Sequence, residues 1–172
     1  MTASRPKKSA LARASASATA EAKKSPIRKT GRQAPPARAV RRPSRAPSPL
    51  VLDSSCWLEF FADSPRAGLY AAALEHLEAL VVPVGVLYEV AKKLHREAGD
   101  EVATAALALM QQARVVALDA ALALEAAVNG LPLADSSIYA TARSCGAELW
   151  TQDAHFEGLP GVRYFAKENP TG

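Results

Sequence analysis

The sequence predicts an α/β fold built on a mostly parallel sheet of four to five strands, with helices on both faces of the sheet. Short apolar runs such as Leu50–Leu52 and Leu80–Pro83 alternate with longer segments whose apolar residues recur at helical spacing. Strands this apolar are typical of parallel sheets that are covered on both faces. The helices between them supply the crossover connections that parallel strands need.

The first half of the predicted domain begins with a strand at 50–52 (LVL). The serines that follow it mark the start of a helix at 55–61. A second helix is predicted at 66–79 from apolar residues at helical spacing, namely Leu69, Ala73, Leu77 and Leu80. The next elements are a strand at 80–83 (LVVP) and a helix at 84–97.

Two helices of the second half have clear ends. The helix at 119–128 stops at an Asn-Gly pair, and the helix at 135–145 stops at a glycine. These residues tolerate the left-handed backbone that commonly ends a helix. The other predicted elements are a helix at 100–112 and strands at 114–117 (RVVA), 148–151 (ELWT) and 162–165 (VRYF).

Formal charge is divided unevenly along the chain. Residues 1–48 hold 13 Lys and Arg against one acidic residue, a net charge of +12. Residues 49–172 hold 8 Lys and Arg against 16 Asp and Glu, a net charge of −8. The first segment is rich in Ala, Ser and Pro and cannot bury enough apolar surface to offset its ordering entropy. We therefore predict a disordered basic tail over 1–48 and a folded domain over 49–168.

Four interpretations of the basic tail stay open at this point. The two simplest are a solvated tail and translated sequence upstream of the true start. Alternatively, its charge attracts nucleic-acid phosphates in a salt-dependent way. Its Arg-rich, acid-poor composition also resembles an organelle transit peptide.

The two cysteines, Cys56 and Cys145, form no CxxC pair and lie in apolar surroundings. This excludes a disulfide scaffold and indicates buried free thiols, which fit a reducing cytoplasm. No apolar run is long enough for a transmembrane helix, and no secretory signal is present. We therefore expect a cytoplasmic protein without a membrane partner.

Four carboxylates fall at the boundaries of predicted elements. Asp53 follows the first strand and Asp153 follows the fourth, and ligands of open parallel sheets bind beyond such strand ends. Glu89 lies in the helix after the second strand, and Asp135 lies where a loop enters a helix. Both are placed to face the same cleft.

A simpler interpretation exists for each acid alone. Asp53, Asp135 and Asp153 each precede a predicted helix, where Asp is a favoured cap. Glu89 alone would be an exposed helix residue, but its neighbours Val86, Leu87 and Val90 are apolar. A glutamate in apolar surroundings is costly to bury unless it is paired or bound to a cation.

Four converging carboxylates without matching cations would repel one another, and a divalent cation is the usual remedy. Oxygen ligands suit Mg²⁺ or Mn²⁺, and no His/Cys cluster competes. His155 lies near Asp153 in the sequence but is a lone histidine. We interpret it as structural or substrate-adjacent rather than as a metal ligand.

Several motifs, taken together, resemble the PIN-domain family, specifically the VapC-type toxins of bacterial toxin–antitoxin pairs. They are VLDSSCWLEFF, PVGVLYEVAKKL, LPLADSSIYATARSCGAELWTQD and TQDAHFEGLPGVRYF. The resemblance covers about residues 50–165, and the tail departs from it. It implies a three-layer α/β/α fold, a Mg²⁺- or Mn²⁺-dependent endoribonuclease acting on RNA, a homodimer, and inhibition by a cognate antitoxin.

By analogy with that family, Asp53 and Asp135 are primary metal ligands, and Glu89 and Asp153 support them. Glu89 would complete the coordination shell or orient the attacking water. The hydroxyls of Ser55 and Thr151 are placed to orient the carboxylates. The simpler interpretation is that Ser55 caps a helix and that Thr151 is an ordinary strand-end residue.

Two other functions are weighed against the ribonuclease. An aspartyl-phosphate enzyme would use Asp53 as its nucleophile. Its usual pattern has a second Asp two residues later, where this chain has Ser55. A catalytically silent PIN-like module that binds RNA or protein is the other alternative, although all four acids are present.

Overall fold

A computed structural model describes residues 47–167 of the 172-residue chain. The strands in this part are β1 (Leu50–Leu52), β2 (Leu80–Pro83), β3 (Arg114–Val116), β4 (Glu148–Thr151) and β5 (Val162–Tyr164). They form one sheet in the order β3-β2-β1-β4-β5, and every neighbouring pair is parallel. The predicted parallel sheet is therefore confirmed with five strands.

Six α-helices connect these strands within residues 47–167. They are α1 (Ser54–Phe61), α2 (Ala67–Leu74), α3 (Val84–Glu97), α4 (Asp100–Met110), α5 (Ala120–Ala127) and α6 (Leu133–Ser144). Two short 3₁₀ turns lie at Leu77–Ala79 and Ala154–Phe156. Among the described residues, no helix is both long enough and apolar enough to cross a membrane.

The central strands show that helices cover both faces of the sheet. All four residues of β2 are buried, as are Val51 and Leu52 of β1. Successive residues of a strand point to opposite faces, so burial of consecutive residues requires cover on both sides. The edge strands β3 and β5 have no fully buried residue. This arrangement gives the three layers of an α/β/α fold.

Helix α6 is the most deeply buried helix of the domain. Residues 136–142 are all buried, so the hydroxyls of Ser136, Ser137, Tyr139 and Thr141 have little access to water. Ser137 Oγ donates to Ala134 O at 2.7 Å, and Thr141 Oγ1 donates to Ser137 O at 2.7 Å. Ser136 Oγ donates to the carbonyl of the preceding loop. Because each hydroxyl is paired, the helix carries polar groups into the core without leaving them unsatisfied.

One predicted element is wrong. The helix predicted at 66–79 ends at Leu74, and His76 has non-helical dihedral angles before a 3₁₀ turn begins at Leu77. The apolar spacing continues to Leu80, but Leu80 pairs with Leu50 in the sheet. Pairing in the sheet requires extended backbone, and it overrides the local helical pattern.

The strand order reverses direction at β1. From β1 the chain moves to β2 and β3 on one side of the sheet, and then returns to β4 and β5 on the other. Crevices open at such points, beyond the carboxyl ends of the two adjacent strands. The gap between the ends of β1 and β4 is therefore where a ligand site is expected. The tail predicted over 1–48 lies outside the described residues, apart from its last two positions.

Candidate active site

The four carboxylates singled out in the sequence line one cleft of about 380 Å³. Asp53 directly follows β1, and Asp153 is the second residue after β4. Glu89 comes from α3, and Asp135 is the third residue of α6. The other lining residues are Ser54, Ser55, Gln152, Ala154 and Lys167.

Asp53 is the most buried of these acids, with 5% of its surface exposed. Its Oδ1 accepts a hydrogen bond from the backbone N–H of Ser54 at 2.7 Å. Its Oδ2 accepts from Ser55 Oγ and from Thr151 Oγ1, each at 2.8 Å. A carboxylate held by three short hydrogen bonds has a fixed orientation, which a metal ligand needs.

Thr151 joins the two strand ends of the site. Its hydroxyl donates to Asp53 Oδ2 and accepts the backbone N–H of Asp153 at 2.9 Å. The residue is fully buried, so its bond to Asp53 is shielded from water, and the bond from Asp153 is partly shielded. Ser55 makes a similar but weaker bridge, because its hydroxyl also accepts the N–H of Gln152 at 3.4 Å.

Glu89 is half-buried and faces the other acids. Burial is the largest cause that raises the pKa of its carboxyl, and the charges of Asp53, Asp135 and Asp153 raise it further. A hydrogen bond from Ser54 partly offsets these effects. The carboxyl therefore holds its proton more firmly than an exposed glutamate while the cleft contains no cation.

Asp135 lies against His155, with His155 Nδ1 at 2.9 Å from Asp135 Oδ2 and 3.4 Å from Asp153 Oδ1. Burial is the largest cause that raises the pKa of Asp135, and the charges of Asp153 and Asp53 raise it further. The bond to His155 and its charge act in the opposite direction. The histidine thus bridges two acids of the cleft, a contact that its place in the sequence alone did not reveal.

The capping interpretation holds for two acids and fails for the third. Asp53 Oδ1 caps α1, and Asp153 Oδ1 caps the following 3₁₀ turn through the N–H of His155 at 2.9 Å. Asp135 caps nothing, because α6 begins two residues earlier than predicted, at Leu133. Its position in the first helical turn suits a negative charge. Capping therefore does not account for Asp135.

The donor set fits a hard divalent cation. All four acids present carboxylate oxygens, the ligands that Mg²⁺ and Mn²⁺ prefer. Ligand atoms of Asp135, Asp153 and His155 lie within 4.8 Å of one another, and Asp53 and Glu89 lie outside this group of three. Among the described residues, Lys167 is the one Lys or Arg that lines the cleft. Its single positive charge stands against four carboxylates.

Other parts of the domain offer less chemistry. A second cavity, of about 400 Å³, lies between α5 and α6, and its lining holds a single carboxylate. Cys56 adjoins Asp53, but burial, with the charge of Asp53 as a smaller cause, raises the pKa of its thiol to about 12. That thiol is not a nucleophile at neutral pH.

Sequence reasoning missed four lining residues: Ser54, Gln152, Ala154 and Lys167. Ser54, Gln152 and Ala154 adjoin identified residues, so their neighbours were the available signal. No sequence signal pointed to Lys167, because its place depends on contacts with segments far away along the chain.

Three solved structures are similar to this chain. A toxin–antitoxin complex from Klebsiella pneumoniae is similar with a TM-score of 0.56 and 20% identity, over 66% of this chain and 95% of that chain. VapC20 from Mycobacterium tuberculosis, a Sarcin-Ricin loop cleaving toxin, gives 0.48 and 24%, over 58% and 85%. PAE2754 from Pyrobaculum aerophilum gives 0.47 and 26%, over 63% and 76%. The first of these likenesses supports the predicted fold.

A search of characterised protein sequences gave no match. The family model described as the PIN domain matches residues 50–162. This span reaches from the first residue of β1 to the first residue of β5, and it contains all four carboxylates of the cleft. Because the match covers well over half of the 172 residues, the chain belongs to the PIN domain family.

Proposed function

We propose that the protein is a Mg²⁺- or Mn²⁺-dependent endoribonuclease that hydrolyses RNA phosphodiester bonds. The observation that carries this proposal is the convergence of four carboxylates in one cleft beyond β1 and β4. Family membership and the motif resemblance point to the same chemistry. A divalent ion bound there would polarise the phosphate and offset the charge that develops during hydrolysis.

Each acid has a distinct part in this proposal. Asp53 and Asp135 would hold the ion, and Asp153 would support them from the end of β4. Ser55 and Thr151 keep Asp53 in position through their bonds to Oδ2. Glu89, which faces the other acids from α3, would complete the coordination shell or orient the attacking water.

We assign His155 a place beside the metal, as in the sequence analysis. Its Nδ1 contacts Asp135 Oδ2 at 2.9 Å and thereby orients this carboxylate, as an outer hydrogen-bond partner does. Its own ring is exposed at the edge of the cleft, where an RNA strand would pass.

The biological setting follows from the motif resemblance to VapC-type toxins. We propose that the ribonuclease is the toxin of a toxin–antitoxin pair, that a cognate antitoxin blocks the cleft, and that the toxin is a homodimer. A toxin–antitoxin complex shares the fold. Cys56 and Cys145 are free thiols, which suit the cytoplasm.

The residue two positions after Asp53 argues against an aspartyl-phosphate enzyme, which would use Asp53 as its nucleophile. Oδ2 of Asp53 accepts hydrogen bonds from the hydroxyls of Ser55 and Thr151. Ser55, which stands where that enzyme class has a second Asp, is one of these donors.

The decisive experiment is cleavage of a fluorescent RNA by the purified full chain with Mg²⁺, with Mn²⁺ and with EDTA. We expect cleavage with either metal and none with EDTA. Asp53→Asn and Asp135→Asn should each lower kcat by more than about a hundredfold, beyond the loss typical of an outer hydrogen-bond partner. The neutral amide is a far poorer ligand for a hard cation.

Asp119→Asn is the matched control. Asp119 caps α5 through the N–H of Leu122 at 2.9 Å and is not part of the cleft. Because Asn also caps helices, this variant should keep full activity. Circular dichroism should show all three variants folded. Cleavage that survives EDTA, or equal activity of the Asp135 and Asp119 variants, would contradict the proposal.

A further inference from the structure

We propose that Lys167 binds a phosphate of the RNA substrate at the rim of the acidic cleft. This inference rests on the proposed ribonuclease function and adds a substrate-binding residue to it. It also gives Arg66 a part, as the residue that holds the Lys167 segment in place.

Lys167 is the one Lys or Arg among the described residues that lines the cleft. It is exposed, and its ammonium forms no ion pair within 4.0 Å in residues 47–167. These residues hold 8 Lys and Arg against 15 Asp and Glu, so RNA approaches a domain of negative charge. A free ammonium beside the carboxylates is the local feature that attracts a phosphate.

The backbone before Lys167 is fixed by contacts from two directions. The N–H of Phe165 donates to the carbonyl of Thr151 at 2.8 Å, which continues the pairing of β4 with β5. The Phe165 ring packs edge-on against Tyr70 and Trp150, with centroids 5.5 and 5.4 Å away. The chain therefore leaves the sheet beside the strand end that carries Thr151 and the cleft.

Arg66 completes this anchoring from a distant part of the chain. Its Nη1 donates to the carbonyl of Ala166 at 2.8 Å, and its Nη2 donates to that of Phe165 at 3.2 Å. The planar guanidinium fork matches two successive carbonyls, which a lysine ammonium cannot do in the same way. Arg66 thus holds the two residues that precede Lys167 and acts as a positioning residue.

The structure supplies a reason for anchoring a lysine here. An exposed lysine on a free chain end loses side-chain and backbone entropy when it binds a phosphate. Fixing the backbone beforehand removes part of that cost. A tethered Lys167 therefore binds the substrate phosphate beside the carboxylates better than the same residue on a mobile segment would.

The test measures kcat and KM of the full chain on a short fluorescent RNA with Mg²⁺. Lys167→Gln should raise KM by about fivefold, the upper range for an exposed ion pair, and leave kcat nearly unchanged. The slope of the logarithm of the RNA-binding constant against the logarithm of salt concentration should become shallower by about 0.7, the value for one phosphate contact on a single strand. Lys167→Arg keeps the charge and should restore most of the affinity.

Arg114→Gln is the matched control, because it removes one positive charge at the amino end of β3, away from the cleft. It should leave KM unchanged. Arg66→Lys keeps the positive charge but cannot donate to the carbonyls of Phe165 and Ala166 with the geometry of a guanidinium. It should therefore raise KM by about the same factor as Lys167→Gln does. The double variant Arg66→Lys/Lys167→Gln should be no worse than Lys167→Gln alone, because both changes remove the same contact.

The outcomes separate this inference from the function on which it rests. A wild-type chain that fails to cleave RNA with metal would overturn the proposed function. Wild-type cleavage with the same KM in the Lys167→Gln and Arg114→Gln variants would overturn the role of Lys167 alone. Additive effects of the Arg66 and Lys167 changes would overturn the positioning role of Arg66.

Discussion

Glu89 and Asp135 face their neighbouring acids at a cost to the folded protein. Burial and neighbouring negative charges raise the pKa of both carboxyls. A folded state with raised carboxyl pKa values binds protons more tightly than the unfolded chain does. The stability associated with these groups is therefore present at low pH and is lost as the pH rises through the raised values. A bound cation would remove this penalty.

Glu89→Gln should therefore stabilise the metal-free protein at neutral pH. In EDTA, we expect its melting temperature to exceed that of the wild type by about 2 °C at pH 8, a small value because the side chain is partly solvated. The difference in melting temperature should vanish below the ordinary glutamate pKa of 4.5, where the wild-type Glu89 is protonated and therefore as neutral as the glutamine of the variant. Thermal melts from pH 4 to pH 8 test this.

Glu97→Gln is the control on the same helix. Arg96 and Lys93 lower the pKa of Glu97, so its loss should slightly decrease the melting temperature at neutral pH. Adding Mg²⁺ should raise the melting temperature of the wild type more than that of Glu89→Gln, because binding to the native state stabilises it. A Glu89→Gln variant that melts lower than the wild type in EDTA at pH 8 would contradict this account of the cleft.

At the scale of elements, the site depends on two adjacent strands that end at the same edge of the sheet. Asp53 directly follows β1, and Asp153 is the second residue after β4. Leu52 of β1 pairs with Trp150 of β4 near these strand ends. The N–H of Asp53 donates to Trp150 O at 2.9 Å, which fixes this register at the strand end. The buried hydroxyl of Thr151 then joins the two acids.

Thr151→Val should weaken the site without changing its shape. The substitution keeps the volume but removes the donor to Asp53 and the acceptor for the Asp153 N–H. We expect a stability loss of about 1–3 kcal/mol for the unsatisfied buried groups and a drop in kcat of roughly 10- to 100-fold. Denaturant unfolding and RNA cleavage with Mg²⁺ measure the two effects.

Thr141→Val provides the comparison. Thr141 is equally buried, but its hydroxyl bonds to Ser137 O inside α6, away from the acids. Its loss should affect stability but not kcat per folded molecule. Equal losses of kcat in the two variants would mean that Thr151 acts only through stability.

Most elements were predictable because one local signal dominated each of them. Helix α3 has the bounds predicted from its pattern, Val84–Glu97, and the acids after β1 and β4 were found from the strand ends. The broken helix after residue 74 and the start of α6 at Leu133 were not predicted. In the first case, pairing in the sheet overrides the local pattern. The place of Lys167 depends on Arg66, about 100 residues away, and local signals carry no such information.

At the scale of the whole molecule, the chain combines parts of opposite charge. Residues 1–48 carry +12 by sequence, and residues 49–172 carry −8. Every strand, helix and carboxylate described above lies after residue 48. Pro49 belongs with the domain, because its carbonyl accepts the N–H of Glu148 at 3.1 Å. A division between residues 48 and 49 therefore leaves the sheet complete.

Deleting residues 1–48 should leave the fold and the cleavage of saturating RNA intact, while RNA affinity at low salt decreases. The acidic domain alone lacks the 13 basic residues of the tail. Each lost contact between a basic side chain and a phosphate should flatten the salt dependence of binding by a slope of about 0.7 for a single strand. RNA affinities of the full and truncated chains across a salt series, with kcat at saturating RNA, test this. Equal affinities at low salt would mean that the tail does not contact RNA. A loss of kcat on truncation would instead make the tail part of the catalytic unit and move the domain boundary before residue 49.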